Sequence, residues 1–350
     1  MKTQRFSLSN SEKISLVSNL ATMLSAGIPI LEVVNSLYED AKGNPKRVLE
    51  ALKDDLIQGK HVSASFAQFP MVFDAITVNV LKASEEAGTL DITLKDLKEN
   101  IRKEMEFSDK IKSALLYPIF IVIVFTAVLL LVLVVVIPKI AIVFEKLRTP
   151  LPLPTRILIF VSTILLHYTV FVVGAIALGL VGLILLFRTK RNVVFDILFS
   201  LPLISNLVKE IDLTRFSRNL FLLLSSGLPI TAALELIANV VIRKDTARII
   251  RTSRDMVLSG KTLSEGFRVS KGYFPTIMIK LVESGEKTGS LDKSMQEISE
   301  YFDYQVTNTL KTLTALLEPT MLVIVGVVIG GMMLVVIAPI YGLISQVSVR

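Results

Sequence analysis

Three long apolar stretches constrain this chain more than any other feature of its sequence. They cover residues 118–137, 157–187 and 319 to about 343, and none of them contains Asp, Glu, Lys or Arg. A helix needs about 20 apolar residues to cross the hydrocarbon of a bilayer. The sequence therefore predicts an all-α integral membrane protein whose three transmembrane helices cover 117–137, 157–187 and 319–343.

The composition excludes several kinds of chemistry. The chain contains no Cys and only two His, so disulfides, thiol chemistry and Cys-based or His-rich metal centres are not expected. We predict neither a metal nor another cofactor. The net charge is +7, but no basic tract carries interleaved aromatic residues, so nucleic acid is not an expected partner. In a membrane protein, a basic balance favours cytosolic loops beside anionic lipid.

The topology follows from the N-terminus and the number of spans. The first sixteen residues have no apolar core and no cleavage site, so we expect no signal peptide and a cytosolic N-terminus. Three crossings then place two helical-bundle domains, 1–116 and 188–318, in the cytosol. The loop 138–156 and the tail 344–350 lie outside. Lys and Arg are more frequent beside the predicted inner ends than in that loop, which agrees with the positive-inside rule.

The two predicted domains are copies of each other. The segment LSAGIPI at 24–30 returns as LSSGLPI at 224–230, and after one inserted residue the matches continue at an offset of 201. They extend into the apolar stretches as Pro118/Pro319 and Pro138/Pro339. Each repeat is thus a homologous domain followed by one span, and the unmatched middle span returns the second domain to the side of the first.

A Gly-x-Pro turn occurs in both copies, at Gly27 and Pro29 and at Gly227 and Pro229. Glycine suits the left-handed residue that ends a helix, and proline suits the first turn of the next helix. We therefore predict a tight corner between two helices. It serves either the fold alone or a contact with a partner.

A second corner carries the candidate partner-binding residues, Glu85 and Glu286. Each precedes a predicted helix stop, at Gly88 and Gly289. An acid in the last turn of a helix is disfavoured by roughly 0.3–1 kcal/mol. Because both copies nevertheless carry it, we predict a contact with a partner, which is an Arg or Lys on another helix, another subunit or a cation. The alternative is a salt bridge inside each domain.

No catalytic motif stands out, and we expect a protein that is not an enzyme. Gly260-Lys261-Thr262 resembles the end of a phosphate-binding loop, but the required first glycine is Asp255 and a helix is predicted to precede it. The sequence contains neither a Gly-x-Ser-x-Gly elbow nor a His-Glu-x-x-His motif. The charges of the segment after Leu90 alternate in sign, which is typical of a solvated helix; they are Lys95, Asp96, Lys98, Glu99, Arg102, Lys103 and Glu104.

These motifs resemble the platform proteins of bacterial type II secretion and type IV pilus assembly, the secretion F family. The resemblance rests on the duplicated Gly-x-Pro turn, the segment GEKTGSL at 285–291, the Tyr117-Pro118 entry and LPLPTR at 151–156. It covers nearly the whole chain. The first copy departs from the pattern by having Ser84 where the second has Gly285.

The resemblance implies a multi-pass platform in the bacterial inner membrane, with its N-terminus cytosolic and its C-terminus extracytoplasmic. Such a platform has no catalysis of its own. It couples a hexameric cytosolic ATPase to the extraction and polymerisation of pilin or pseudopilin subunits. The implied partners also include other inner-membrane assembly proteins, membrane lipid and further copies of the chain, in a dimer or a higher oligomer. The alternative is a membrane transporter or channel, which would need polar residues near the midplane of the bilayer.

Overall fold

The computed structural model describes residues 6–139, 141–142, 153–167, 202–270 and 272–347. Within these ranges the regular structure is entirely helical, with no strand, so the predicted all-α class is confirmed. The predicted middle span is described only as far as His167, and its remainder lies outside the described residues. Most of the predicted loop 138–156 and the end of the tail 344–350 lie outside them as well.

Repeat 1 consists of five short helices and one long one. In chain order they are α1 (Asn10–Ser25), α2 (Ile30–Asp40), α3 (Gly43–Ile57), α4 (Val62–Phe66), α5 (Ala75–Ala87) and α6 (Leu90–Leu131). After Leu131 a π-helical turn covers Val132–Val136. The next described helix is α7 (Leu153–His167), which belongs to neither repeat.

Repeat 2 has the same order of helices. They are α8 (Pro202–Ser225), α9 (Ile230–Ala238), α10 (Lys244–Leu258), α11 (Leu263–Val269), α12 (Thr276–Thr288) and α13 (Leu291–Val347). The helix expected before the Gly-Lys-Thr segment is confirmed as α10. Gly260 follows it with φ +86°, so this segment is a helix end rather than a phosphate-binding loop.

Local signals in the sequence fix where several helices begin. At α1 the Ser9 hydroxyl accepts from the backbone N–H of Glu12, whose carboxylate accepts from the Ser9 N–H at 2.8 Å. Thr262 and Glu265 form the same reciprocal pair at α11. Such capping boxes satisfy two N–H groups that have no partner inside the helix.

The described residues fall into two compact units. The first contains those within 1–110 and 206–308, and the second those within 111–205 and 309–350. In the first unit, residues of both repeats share one hydrophobic core. The two repeats contain an equivalent pair of packed rings, Phe66 with Phe73 at 4.0 Å between centroids and Phe267 with Phe274 at 4.1 Å. Burial of these large apolar side chains is the main stabilising term.

The second unit contains the apolar parts of α6 and α13 together with α7. Pro118 lies inside α6 without ending it. Near the π-helical turn, the Ser162 hydroxyl of α7 donates to the Leu133 carbonyl at 2.6 Å. A π turn disturbs the regular i→i−4 pairing, and a hydroxyl from a neighbouring helix is a suitable donor to a carbonyl in an apolar environment.

Within the part of the chain that the structure describes, two helices are long and apolar enough to cross a membrane, over Leu90–Lys139 and Leu291–Gly331. The core helix of a soluble protein passes the same test, but it is buried, whereas almost none of these two apolar windows is buried. A signal sequence also passes, but it lies at the N-terminus. Neither explanation fits this chain, so both helices are candidate membrane spans.

Candidate functional site

The Gly-x-Pro turn forms the same corner in both repeats. Gly27 and Gly227 have φ of +81° and +84°, the left-handed conformation that glycine adopts without strain. Around Gly27, the N–H groups of Gly27 and Ile28 donate to the carbonyls of Leu24 and Met23, at 2.9 and 3.2 Å. This is the Schellman pattern of a helix end.

The prolines of these corners lie just before the helix, whereas the prediction placed them in its first turn. Pro29 and Pro229 are N-cap residues, with ψ near 140°, and the helices begin at Ile30 and Ile230. The proline carbonyl still accepts the first helical hydrogen bond, from the N–H of Val33 at 3.0 Å in repeat 1. Proline fits here because its fixed φ suits the position and no N–H is needed.

Glu85 binds the start of a neighbouring helix in repeat 1. Its Oε1 accepts from the backbone N–H of Val62 at 2.5 Å and its Oε2 from that of Ser63 at 3.0 Å. These are the first two N–H groups of α4, which have no acceptor inside their own helix. The Glu85 side chain is 9% exposed. Its charge lies at the positive end of α4, which offsets the unfavourable position in the last turn of α5.

Glu286 has the same role in repeat 2. Its Oε1 accepts from the N–H of Leu263, and its Oε2 accepts from that of Ser264 at 3.3 Å. Both glutamates therefore have an acceptor role inside their own domain, through backbone N–H groups. In repeat 1 the expected internal salt bridge also has a candidate, because His61 Nδ1 lies 3.8 Å from Glu85 Oε1 and pairs with it when the imidazole is protonated. Gly88 and Gly289, with φ of +71° and +69°, are the C-caps of α5 and α12, the helices that contain the two glutamates. A partner contact of Glu85 or Glu286 stays a prediction.

A groove between α4 and α5 distinguishes the two repeats. In repeat 1 it is open, and its walls include Ala64, Ala67 and Val78. At the position of Ala67 repeat 2 has Arg268, which pairs with Glu283, and Glu283 also pairs with Lys287 at 2.8 Å. Repeat 2 therefore has an ion-paired arginine at the position where repeat 1 has the small apolar side chain of Ala67.

A polar cleft of about 370 Å³ lies between the two repeats within the first unit. Its walls include Lys13 and Asp74 of repeat 1, Glu104 of α6 and Arg215 of repeat 2. Burial lowers the pKa of Lys13, and the carboxylates of Asp74 and Glu104 oppose that effect. Among the described residues, no three His, Cys, Asp or Glu side chains form a group that could hold a metal ion.

Ion pairs join the repeats beside this cleft. Glu104 of α6 contacts Arg215 of α8 at 2.9 Å and Arg218 of α8 at 3.0 Å. Asp303 of α13 contacts Arg218 at 3.4 Å and Lys110 of α6 at 2.7 Å. Glu104 was predicted to lie on a solvated helix, and that prediction is incomplete because its carboxylate pairs with repeat 2. The available signal was Arg218, a charge within the apolar pattern of α8.

Comparison with known proteins agrees with this architecture. The chain matches the family described as "Type II secretion system (T2SS), protein F" twice, over residues 16–138 and 216–339. The two matched segments correspond to the two repeats, each with the apolar helix that follows it. The chain therefore belongs to this family.

Relatives from both branches of the family cover most of the chain. A "Type IV pilus assembly protein PilC" of Myxococcus xanthus is 30% identical, over 94% of this chain and 79% of its own length. A protein of the same name from Thermus thermophilus is 29% identical, over 95% and 82%. A "Type II secretion system protein F" of Aeromonas hydrophila is 26% identical, over 97% and 88%.

Proposed function

We propose that this protein is the inner-membrane platform of a bacterial type IV pilus or type II secretion machine. The observation that carries the proposal is the double family match, in which each matched segment contains a helical domain and a long apolar helix. Relatives named for pilus assembly and for type II secretion match the chain over almost its whole length. The platform itself carries out no catalytic step.

Both helical domains lie on the cytosolic side of the membrane in this proposal, with spans at 117–137, 157–187 and 319–343. The shared core of the first unit supports this arrangement. Two domains that share a core lie on one side of a bilayer, so the chain that leaves through α6 must return before α8 begins. The uncharged stretch 157–187 is long enough for that return.

The platform couples a hexameric cytosolic ATPase to subunits in the membrane. Its cytosolic domains contact the ATPase, and its spans contact pilin or pseudopilin helices as these are extracted and polymerised. Other inner-membrane assembly proteins, membrane lipid and further copies of the chain complete the set of partners. Support for a passive coupling role comes from α6 and α13, each of which runs without a break from a domain into an apolar segment.

Glu85 and Glu286 are proposed to contribute to partner contacts as well as to the fold. Each carboxylate lies at a corner of its domain, next to residues that are exposed, such as His61 and Glu265. We expect such a contact to contribute less than about 1 kcal/mol to binding if the partner's side chain is exposed to solvent.

Deletion and complementation test the proposed function. We expect a deletion strain to lose surface pili, or secretion of exported proteins, and to regain them with the wild-type gene. Pilus counts by electron microscopy and assays of exported protein measure this. A deletion strain with normal pili and normal secretion would contradict the proposal. A selective loss of solute uptake in that strain would instead favour a transporter.

A further inference from the structure

Arg218 is a buried charge held by both repeats. Its side chain on α8 is 6% exposed, with Nη1 3.0 Å from Glu104 Oε2 and Nη2 3.4 Å from Asp303 Oδ1. Its guanidinium lies 5.2 Å from the centre of the Phe107 ring. A buried charge is costly unless it is paired, and arginine suits such a place because its planar group binds two carboxylates and stacks on a ring.

The partners of Arg218 come from different parts of the chain. Glu104 and Phe107 belong to α6 of repeat 1, whereas Asp303 belongs to α13 of repeat 2. Two further pairs connect these helices, Lys110 with Asp303 at 2.7 Å and Lys103 with Glu300 at 3.4 Å. We name this set the ionic seam; it consists of Lys103, Glu104, Lys110, Arg215, Arg218, Glu300 and Asp303.

The fold of a single repeat does not require the ionic seam. At the repeat offsets, Ser18 corresponds to Arg218, Gln305 to Glu104 and Arg102 to Asp303. Arg102 pairs along its own helix, with Glu99 at 2.9 Å. Both repeats adopt the same order of helices although the charges of Arg218, Glu104 and Asp303 have no counterpart of the same sign in the other repeat. The seam therefore stabilises the packing of the two repeats against each other rather than the fold of either repeat alone.

The seam joins α6 and α13 directly and through α8. Helices α6 and α13 are the two that continue as candidate membrane spans. The seam residues precede the apolar segment on both of them. A rigid link at this level fixes the spacing of the two helices before they become apolar. Surface pairs such as Lys103 with Glu300 contribute little, so the buried guanidinium of Arg218 is the central element of the link.

We infer that Arg218 is a positioning residue that holds α6 and α13 at a fixed spacing, and that platform function requires this spacing. The functional part rests on the proposed platform role, whereas the structural part does not. Without Arg218, each carboxylate keeps another cation, Arg215 for Glu104 and Lys110 for Asp303. An apolar replacement of similar size should therefore still fold, since the two carboxylates that remain are partly exposed, at 39% and 25%, and neither is left as an unpaired buried charge.

The test measures the spacing directly in the full chain in detergent. Spin labels are attached to the exposed positions Lys95→Cys on α6 and Glu297→Cys on α13, and the native chain contributes no background because it lacks Cys. Double electron–electron resonance should give a narrow distance distribution for the wild type and a wider or shifted one for Arg218→Met. Arg218→Lys should restore it only partly, because an ammonium cannot bridge both carboxylates in the same geometry.

Arg254→Met is the matched control. Arg254 pairs with Glu235 and with Asp255 of its own repeat, so its loss should leave the α6–α13 distribution unchanged. A distribution for Arg218→Met that equals the wild type, in a protein that still melts cooperatively, overturns the inference. If Arg218→Met does not fold, Arg218→Lys decides, and an unchanged distribution in that variant overturns the inference equally.

Assembly in cells tests the functional part. Pilus or pseudopilus formation should fall strongly with Arg218→Met, recover in part with Arg218→Lys and stay normal with Arg254→Met. A widened distribution with normal assembly overturns the claim that function needs the fixed spacing. If the deletion strain assembles normally, the platform proposal itself is wrong, and the distance measurement still decides the role of Arg218 within the structure.

Discussion

The corner between α5 and α6 in repeat 1 and the corner between α12 and α13 in repeat 2 follow the same backbone path but pack differently. Repeat 1 has Ser84 at this corner, with its hydroxyl bonded to the Leu81 carbonyl at 2.8 Å. Repeat 2 has Gly285, and a Cβ built there would lie 2.5 Å from Ser294 Oγ. Helices α12 and α13 therefore approach each other closely because no side chain separates them.

The buried carboxylates differ more than the corners do. In repeat 1, Asp55 accepts from Lys60, Ser65 and Gln68, all on side chains. In repeat 2, Asp212 accepts from the N–H groups of Ile242 and Arg243 at 2.7 and 2.8 Å, beside the start of α10. The two repeats thus keep their glycine turns and capping glutamates, while the polar groups inside them have diverged.

The features that both repeats share are the ones that a repeat needs in order to fold. Positive φ at the turns and an acceptor at the start of α4 or α11 are present twice. The small side chain of Ala67, where repeat 2 has Arg268, and the charges of Arg218, Glu104 and Asp303 are present once. Features of the first kind should affect stability equally in both repeats, whereas features of the second kind should affect one repeat or the pair.

The largest expected effect comes from Gly285→Ala. The new methyl group would lie too close to Ser294 and to the Leu291 Cα, 3.0 Å away. We expect a loss of about 1–3 kcal/mol in unfolding free energy, as is common for overpacking. Thermal unfolding of the full chain in detergent measures it.

Ser84→Ala is the matched control, because repeat 1 already accommodates a Cβ at this place. It removes one hydrogen bond, so we expect a smaller loss of about 1 kcal/mol. Equal losses for the two variants would mean that the corners pack alike.

The next effect is that of Glu85→Gln and Glu286→Gln. An amide has one acceptor oxygen and no charge, so each variant loses one of its two bonds to a helix start and the favourable interaction with the helix dipole. We expect about 1 kcal/mol for each, close to the cost of losing a helix cap. If only one variant lowers the melting temperature, the two corners are not equivalent.

The same two variants test the predicted partner contact. Assembly that falls more with Glu286→Gln than with Glu85→Gln, at equal melting temperatures, would support a contact at the second corner. Assembly that follows stability alone in both variants would leave these glutamates with a structural role only.

A smaller effect concerns pH. Burial raises the pKa of Asp55, but the hydrogen bonds from Lys60, Ser65 and Gln68 outweigh it, so the pKa lies below its ordinary value of 3.8. Burial raises the pKa of Asp212 above that value, against the N–H groups of Ile242 and Arg243. Asp55 therefore stabilises the fold above the unfolded pKa and loses this contribution as the pH falls through its folded pKa.

The sign is opposite for Asp212. Its folded state binds a proton more readily than its unfolded state, so its unfavourable contribution disappears as the pH falls through the raised pKa. We compare melting temperatures at pH 7 and at about pH 3, a range that includes the usual pKa values of carboxyl groups. Over this range the melting temperature of Asp55→Asn should fall less than that of the wild type. The melting temperature of Asp212→Asn should fall more than that of the wild type. If both variants differ from the wild type in the same direction, the claim that folding lowers the pKa of Asp55 and raises that of Asp212 is contradicted.

The sequence predicted the elements that recur, and it predicted few of the contacts between them. The Gly-x-Pro corners and the helix stops at Gly88 and Gly289 follow from local backbone preference, which is visible at a single position. The acceptor role of Glu85 could not be predicted in this way, because its donors lie 22 and 23 positions earlier in the chain. The expected internal contact is present, but its main donors are backbone N–H groups, with His61 Nδ1 farther away at 3.8 Å from Glu85 Oε1.

The ionic seam was hidden for a related reason. Alternating charges on α6 are typical of a solvated helix, and sequence periodicity does not show which of them face another helix. Arg218 of α8 was the one signal of the seam in the sequence, since a charge among apolar residues needs a buried partner. Identifying that partner required the packing of α6, α8 and α13, which are far apart in the chain.

The most direct test of the account is the accessibility of equivalent positions in the two repeats. Gln58 and Ser259 correspond at the offset of 201, and both are exposed. Cysteines are placed singly at these positions and at Thr149 of the predicted outer loop, then treated in whole cells with an impermeant thiol reagent. We predict labelling at Thr149→Cys alone, and labelling of Gln58→Cys and Ser259→Cys only after the cells are opened. Labelling of one repeat but not the other in intact cells would contradict the claim that both repeats share one core on the cytosolic side.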